Sequence, residues 1–306
     1  MATLSYLQIQ EELFSRISES QVKELIIFIQ AQNPILWGEQ QPRNFVSNMV
    51  TLVLYKDAFK IGYQKLVKRV KLSYKITHKS LQHNAEVLRL LMKEWSKKHI
   101  TLGSESDWNQ AVHNCGFKGE IKNANLWMDS TDIPLEGRKS ISRKDIRWSY
   151  KLNSPGRRYM IIRDGKGKVR KIWGGYSPKV HDGTWLEMMK DSLEENLSGG
   201  VVLADNHFSV GRKLFQKIKF LTNFAEKSGS KKRKREEEED GEGITTLAKQ
   251  QKVFNKIHRK ARARIETPFG YIKSKIESLS KPWSESSEQL DCLVWTAIGI
   301  FNRSIV

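Results

Sequence analysis

Cysteine is nearly missing. The 306-residue chain has two, Cys115 and Cys292, far apart, which excludes a disulfide framework and a thiolate zinc site. The seven histidines form no H-x3-5-H pair beside them. Long hydrophobic runs are missing too. The longest, CLVWTAIGIF (Cys292–Phe301), is too short to span a bilayer and reads as a buried helix. The opening MATLSYLQIQEELFSR carries acids and no apolar core, unlike a signal peptide. Acidic residues are in deficit, 34 against 53 Lys and Arg, leaving a net charge of +19. That excess runs over most of the length and points to a polyanion. A membrane is not expected, because no amphipathic helix pairs a basic face with a broad apolar one. A reducing compartment fits: the nucleus if the source is eukaryotic, otherwise the cytoplasm.

With 39% hydrophobic residues and 9 Trp, the chain can bury a sizeable core. Its first hundred residues read as helical. SESQVKELIIFIQ opens on a capping box from Ser18 to Gln21, sets Val22, Leu25, Ile26 and Ile29 on one face, and stops at Pro34. VSNMVTLVLYKDAF reads as a second helix. The spacing then predicts a short helix over residues 63–70, a turn at Leu72–Ser73 and a longer helix to Trp95. Its inner stripe is Leu81, Leu88, Leu91 and Trp95, leaving Lys75, His78, Lys79, Gln82 and His83 outward near its start. This is the shape of a DNA-reading helix-turn-helix, or of an ordinary helical hairpin with a basic outer face.

TLGSESDW marks a linker, taken as residues 101–122, after which the period becomes strand-like. NANLWMDSTDIPL is a first strand, and RRYMIIRDGKGKVRKIWGGY a hairpin turning at DGKG. TWLEMMKDSLEENL is one amphipathic helix, VVLAD a short buried strand, RKLFQKIKF a helix and FLTNFA a strand. Residues 226–243 form a charged insertion that should be solvated, and within it Lys231, Lys232, Arg233, Lys234 and Arg235 have the form of a nuclear import signal or of a charged loop. Helices follow. The expected fold is α/β: a mixed sheet flanked by helices over residues 123–306, preceded by a helical N-terminal domain over 1–100.

Two strands end in a carboxylate: NLWMDST in Asp129, with Asp132 a nearby competitor, and VVLADNH in Asp205. In a strand of period two, Asp129 and Thr131 share a face while Asp132 lies on the other, which favours Asp129. Glu266 is the third candidate. Arg262, Glu266 and Lys273 fall on one side of a continuous helix, unless Pro268 restarts it with Thr267 as cap. Carboxylates from separate elements suit hard divalent cations, and two such ions can clamp the attacking and leaving oxygens of a phosphodiester exchange.

Together these segments resemble the DDE transposases of the Harbinger and bacterial insertion-sequence type. WMDSTDIPL matches the family's hydrophobic-D-[GS]-T-x-I-P-[IL] motif at Asp129, and VVLADNHFS its second strand-ending aspartate at Asp205. The third motif, Tyr-x2-Arg-x3-Glu-x6-Lys, is met at Arg262, Glu266 and Lys273, with Arg259 in the tyrosine's place. The segment SYKLNSPGRRYMIIRDGKGKV also resembles the family, whereas Asn206 and His207 depart from its second motif. The resemblance implies an RNase H-like fold in which Asp129, Asp205 and Glu266 hold Mg2+ or Mn2+ as two ions. It further implies attack by water and then a freed 3′-hydroxyl on double-stranded DNA at terminal inverted repeats and target sites. Arg262 and Lys273 would be phosphate-side helpers, and Trp173 and Trp185 core residues rather than base-stacking ones. Such an enzyme works as a homo-oligomer or beside a separate DNA-binding partner. A non-catalytic DNA-binding descendant and a nuclease without strand transfer are the competing readings.

Overall fold

The computed structural model describes residues 4–32, 44–72, 75–112, 119–137, 142–224, 241–264 and 268–305. A two-residue strand β1 (Leu4–Ser5) leads into α1 (Tyr6–Phe14), where Ser5 and Gln8 form a reciprocal capping box. Helix α2 (Glu19–Gln32) starts on the expected box, with the Gln21 N–H on Ser18 Oγ and the Ser18 N–H on Gln21 Oε1. It buries Val22, Leu25 and Ile29 and half-buries Ile26; Pro34 lies outside the described residues.

Helix α3 (Phe45–Phe59) is apolar almost all round and buried to match, ending at Lys60 in the left-handed region (φ 50°). Helix α4 (Tyr63–Arg69) and strand β2 (Val70–Lys71), which pairs with β1, precede α5 (His78–His99). Thr77 caps α5 by accepting the Ser80 N–H, one of the helix's orphan donors. Leu81, Ala85, Leu88, Met92 and Trp95 form its buried stripe, with Leu91 only half-buried at the margin. Lys75, Lys79, Gln82 and His83 are exposed and His78 is half-buried.

Within residues 101–122, helix α6 (Glu105–Val112) starts where Ser104 and Asp107 cap one another. Its Trp108 is buried and donates to the Leu102 carbonyl at 2.7 Å. The sheet comprises β3 (Leu126–Pro134), β4 (Trp148–Ser149), β5 (Ser154–Asp164), β6 (Val169–Tyr176), β7 (Val201–Ala204) and β8 (Lys219–Thr222). Their order is β4-β5-β3-β7-β8, with β6 on β5. Strands β3, β5 and β6 are antiparallel neighbours; β7 runs parallel to β3, and β8 to β7. The β5–β6 turn uses Gly167 at φ 91° and the Asp164 carboxylate, which accepts the Lys166 and Lys168 N–H groups.

Alternation along β3 sorts its side chains between two helical layers. On one face, Ile133 with Tyr159 and Ile161 of β5 packs against Phe269 and Ile272 of α11 (Pro268–Lys275) and Leu293 and Val294 of α12 (Ser287–Ser304). On that face too, Trp127 and Leu203 meet Ala261 of α10 (Gly241–Arg264). On the opposite face, Leu126 and Met128 pack with Trp185 and Leu186 of α7 (Asp182–Met188) and Leu193 of α8 (Lys190–Asn196).

Two expectations of local structure change. TWLEMMKDSLEENL is two helices, because Met189 leaves helical dihedrals (φ −102°, ψ 9°). The Leu193 N–H still reaches the Met189 carbonyl, so the apolar stripe stays continuous across the bend. RKLFQKIKF is helical only over α9 (Gly211–Leu214). Phe215 turns extended and stacks on Phe220 at 5.1 Å, and Lys217 and Lys219 bond through their backbones to the Gly199–Gly200 turn. Sheet pairing beyond the segment overrides its helical spacing.

The helical layer is tied to the sheet by buried charge. Arg89 of α5 bonds Asp57 of α3 at 2.7 and 3.1 Å and Glu285 at 2.5 Å, and Lys56 also pairs with Glu285. Burial alone would push the Glu285 carboxyl up, but Arg89 and Lys56 outweigh it and hold it below its usual range. Residue 285 follows Trp283, whose backbone exchanges bonds with Pro134 and Glu136 at the end of β3.

Candidate active site

Strands β3 and β7 pair in parallel with Leu126 opposite Val202 and Trp127 opposite Leu203. In that register Asp129 and Asp205 are level on two adjacent central strands: Asp205 directly follows β7, whereas Asp129 is mid-strand and not the strand end expected of it, because β3 continues to Pro134 against β5. They also share a face, because Asp129 alternates with Trp127 and Asp205 with Leu203, which pack in one cluster. Asp129 accepts the Ser130 N–H at 2.9 Å, and Asp205 caps a 3-10 turn (Asn206–Phe208) by accepting the Asn206 N–H. Both carboxylates are thus fixed by their own backbone.

Cations converge on the pair from three elements. Arg262 of α10 donates to Asp205 Oδ2 at 2.9 Å, and its charge also acts on Asp129. Arg163 stands on β5 opposite Trp127, on the carboxylate face, and its charge couples to Asp129. Burial pulls the Arg163 guanidinium down to about 10. A cavity of ≈ 300 Å³ is lined by Asp129, Arg163, Arg259, Arg262, Trp127 and Leu203 among others. Lys273 of α11 donates to Thr131 Oγ1 at 2.7 Å and to the Asp132 carbonyl at 3.0 Å, two and three residues along β3 from Asp129.

The two carboxylates differ electrostatically. Burial raises Asp129 above the usual aspartate value, with the Arg262 charge and the Ser130 N–H only partly offsetting it. Burial also pushes on Asp205, but there the Arg262 hydrogen bond and charge win and hold it low. Burial lowers Lys273 as well. A cavity that holds a desolvated acid beside fixed guanidinium groups is built to receive charge.

A family model described as "Transposase DDE domain" matches residues 124–298. The chain belongs to this family. No curated protein and no solved structure matches it. Of the acids that the DDE motifs single out, Asp129 and Asp205 come together, while Glu266 lies outside the described residues. Among the described residues, no three His, Cys, Asp or Glu side chains gather as a metal cluster. Arg262 and Lys273, four residues before and seven after Glu266 in the sequence, bond Asp205 and Thr131, next to the two aspartates.

Other candidates fall elsewhere. Asp132 points to the opposite face, where Arg158 and Ser149 bind it. Trp173 and Trp185 meet edge to face at 5.6 Å inside the core. Lys75, His78, Lys79 and Gln82 stand at the start of α5, in the helical layer, and Lys231–Arg235 lie outside the described residues. Arg163 is a cavity residue that the motifs did not assign, and Arg259, in the tyrosine's place of the third motif, lines the same cavity. A lone arginine ending an apolar strand run, MIIRD, is the signal that could have found Arg163.

Proposed function

We propose that the chain is a DNA transposase that cuts and joins phosphodiesters at transposon ends, using Asp129, Asp205 and Glu266 as the acids of an RNase H-like domain. The reading rests on one observation: Asp129 and Asp205 are level on neighbouring parallel strands, with Arg262 of α10 bonded to Asp205. The residues fit a divalent cation. Both are hard oxygen donors from different elements, Asp205 is half-exposed, and Asp129 stays raised because the Arg262 charge only partly offsets its burial, which leaves it a demand for further positive charge. Asp129, Asp205 and Glu266 would hold Mg2+ or Mn2+, as two ions, which when bound activate an oxygen nucleophile and neutralise the leaving oxygen.

The chain's own residues do the rest. Arg262, Arg163 and Lys273 hold non-bridging phosphate oxygens beside the two carboxylates, and the buried wall around Asp129 keeps bulk water from the scissile group. The helical layer over residues 1–100 serves as the DNA-reading part, with α4 and α5 as a helix-turn-helix and Lys75, His78, Lys79 and Gln82 turned to DNA. Residues 123–306 are the catalytic domain, joined to it through 101–122. The double-stranded substrate carries terminal inverted repeats, and Lys231–Arg235 direct the chain to the nucleus of a eukaryotic source.

The test is Mn2+-dependent nicking of a duplex carrying the repeats that flank the gene. Wild type should cut and then join the freed 3′ end to a target, while Asp205→Asn and Asp129→Asn fall to the background seen in EDTA. Cleavage retained in both variants would remove these aspartates from the chemistry. Cleavage without joining would make the protein a nuclease instead.

A further inference from the structure

Helix α10 carries a charge pattern that the two-aspartate site does not use. Lys249, Lys252, Lys256, Arg259 and Lys260 are all exposed. At 100° per residue they fall within about 100° of the helix circumference. The other side is seated on the sheet: Asn255, His258 and Ala261 are buried, and Asn255 bonds the Phe224 backbone at 2.8 and 3.0 Å. The sequence has no Asp or Glu from Ile244 to Ile265. Among the described residues, Lys249, Lys252, Lys256 and Lys260 form no ion pair.

A solvated basic face is the ordinary fate of such lysines, and α5 shows what that looks like here. Its later outer side interleaves Lys97 and Lys98 with exposed Glu86 and Glu94, and Glu94 pairs with Lys97 at 2.6 Å. A solvated helix gains from such mixing, because like charges at neighbouring positions cost stability. The α10 stripe gives up that gain along its whole exposed length. It also has a direction, since it ends at Arg259 and Arg262, which line the cavity beside Asp129.

We propose that the outer stripe of α10 seats the backbone of the DNA duplex flanking the scissile phosphate. The inference rests on the DNA-cutting reading above and adds where the duplex lies. From Lys249 to Lys260 the stripe is about 17 Å long at the helical rise, roughly five base-pair steps of duplex. Phosphates at that spacing meet a row of unmixed cations, and the row delivers the strand to the carboxylate pair.

Counterion release makes this countable, because each phosphate contact adds about 0.9 to the slope of log affinity against log salt. Anisotropy of a labelled 30-base-pair duplex is measured from about 50 to 300 mM KCl on the full-length chain. The quadruple variant Lys249→Gln, Lys252→Gln, Lys256→Gln, Lys260→Gln should lose about three to four from the slope, and Lys256→Gln alone about one. Glutamine keeps lysine's helix propensity, and an unchanged far-UV circular dichroism spectrum confirms the fold. Lys97→Gln with Lys98→Gln, at the far end of α5 from its DNA-reading start, should lose less per charge. If wild type binds the duplex and both α10 variants keep its slope, the duplex lies elsewhere and this inference fails while the transposase reading stands. If wild type does not bind the duplex at low salt, both fall.

Discussion

Asp129 and Asp132 sit three residues apart on β3, and the strand's alternation sends them to opposite faces. Asp132 is fully buried, and every oxygen is met: Arg158 donates to both at 2.7 and 3.1 Å, and Ser149 adds a third bond at 2.6 Å. Arg158 is shared with Asp182 at 3.0 Å, so two acids enclose one guanidinium. Burial alone would lower Arg158, but Asp132 and Asp182 reverse the direction and raise it. Asp129 accepts one backbone N–H, lies beside a cavity and keeps a raised pKa. One carboxylate is compensated and structural. The other carries an unmet demand for positive charge, which is what a cation site needs before its ion arrives.

The two carboxylates differ most in activity. Asp129→Asn should eliminate metal-dependent strand cleavage while leaving the urea-unfolding midpoint near that of wild type. Asp132→Ala should act through folding instead. It leaves Arg158 buried with one acid where it had two, a loss of about 3–5 kcal/mol read from the same urea titration. Should Asp132→Ala fold as well as wild type yet fail to cut, the division of labour drawn here is reversed.

A smaller effect, in pH, sharpens the contrast between Asp129 and Asp205. Asp129 is raised, so the folded state keeps its proton longer than the unfolded chain, and stability is withdrawn as pH climbs from 3.8 through the folded value. Asp129→Asn should therefore be slightly more stable than wild type at neutral pH in EDTA, with the gap closing in acid. Asp205 is lowered, so it contributes stability above 3.8 that is lost as pH falls through its folded value. Asp205→Asn should be less stable at neutral pH, by a margin that shrinks with added salt because the pair is part-exposed. Unfolding curves at a series of pH values check both signs, and two changes of the same sign would show that the environments do not differ.

Much of this site can be read from residue order, for a local reason. An apolar run ending in aspartate places Asp205 directly after its strand in VVLAD, but in NLWMD the strand runs on to Pro134 along β5, so Asp129 stands mid-strand rather than at a tip. The face preference of Asp129 over Asp132 follows from period two alone. What brings Asp129 level with Asp205 is pairing between segments far apart in the chain, and no local pattern encodes which strands become neighbours. Arg163 shows the same gap, since its place beside Asp129 depends on β5 pairing in register with β3. The unwinding after Leu214 is another case, decided by backbone bonds to Gly199 and Gly200. The α10 stripe was present in the spacing of its lysines, but it acquires a direction only once Asn255, His258 and Ala261 show which side faces the sheet.

The ionic knot of Lys56, Asp57, Arg89 and Glu285 bears on how the molecule comes apart. Glu285 takes cations from partners 229 and 196 positions away, so neither the early helices nor the late ones can detach without stranding charge in a dry interior. Heat should therefore melt the early and late parts of the chain in one calorimetric step, and a fragment severed between α5 and β3 would inherit half of a neutralised cluster and its solvation debt.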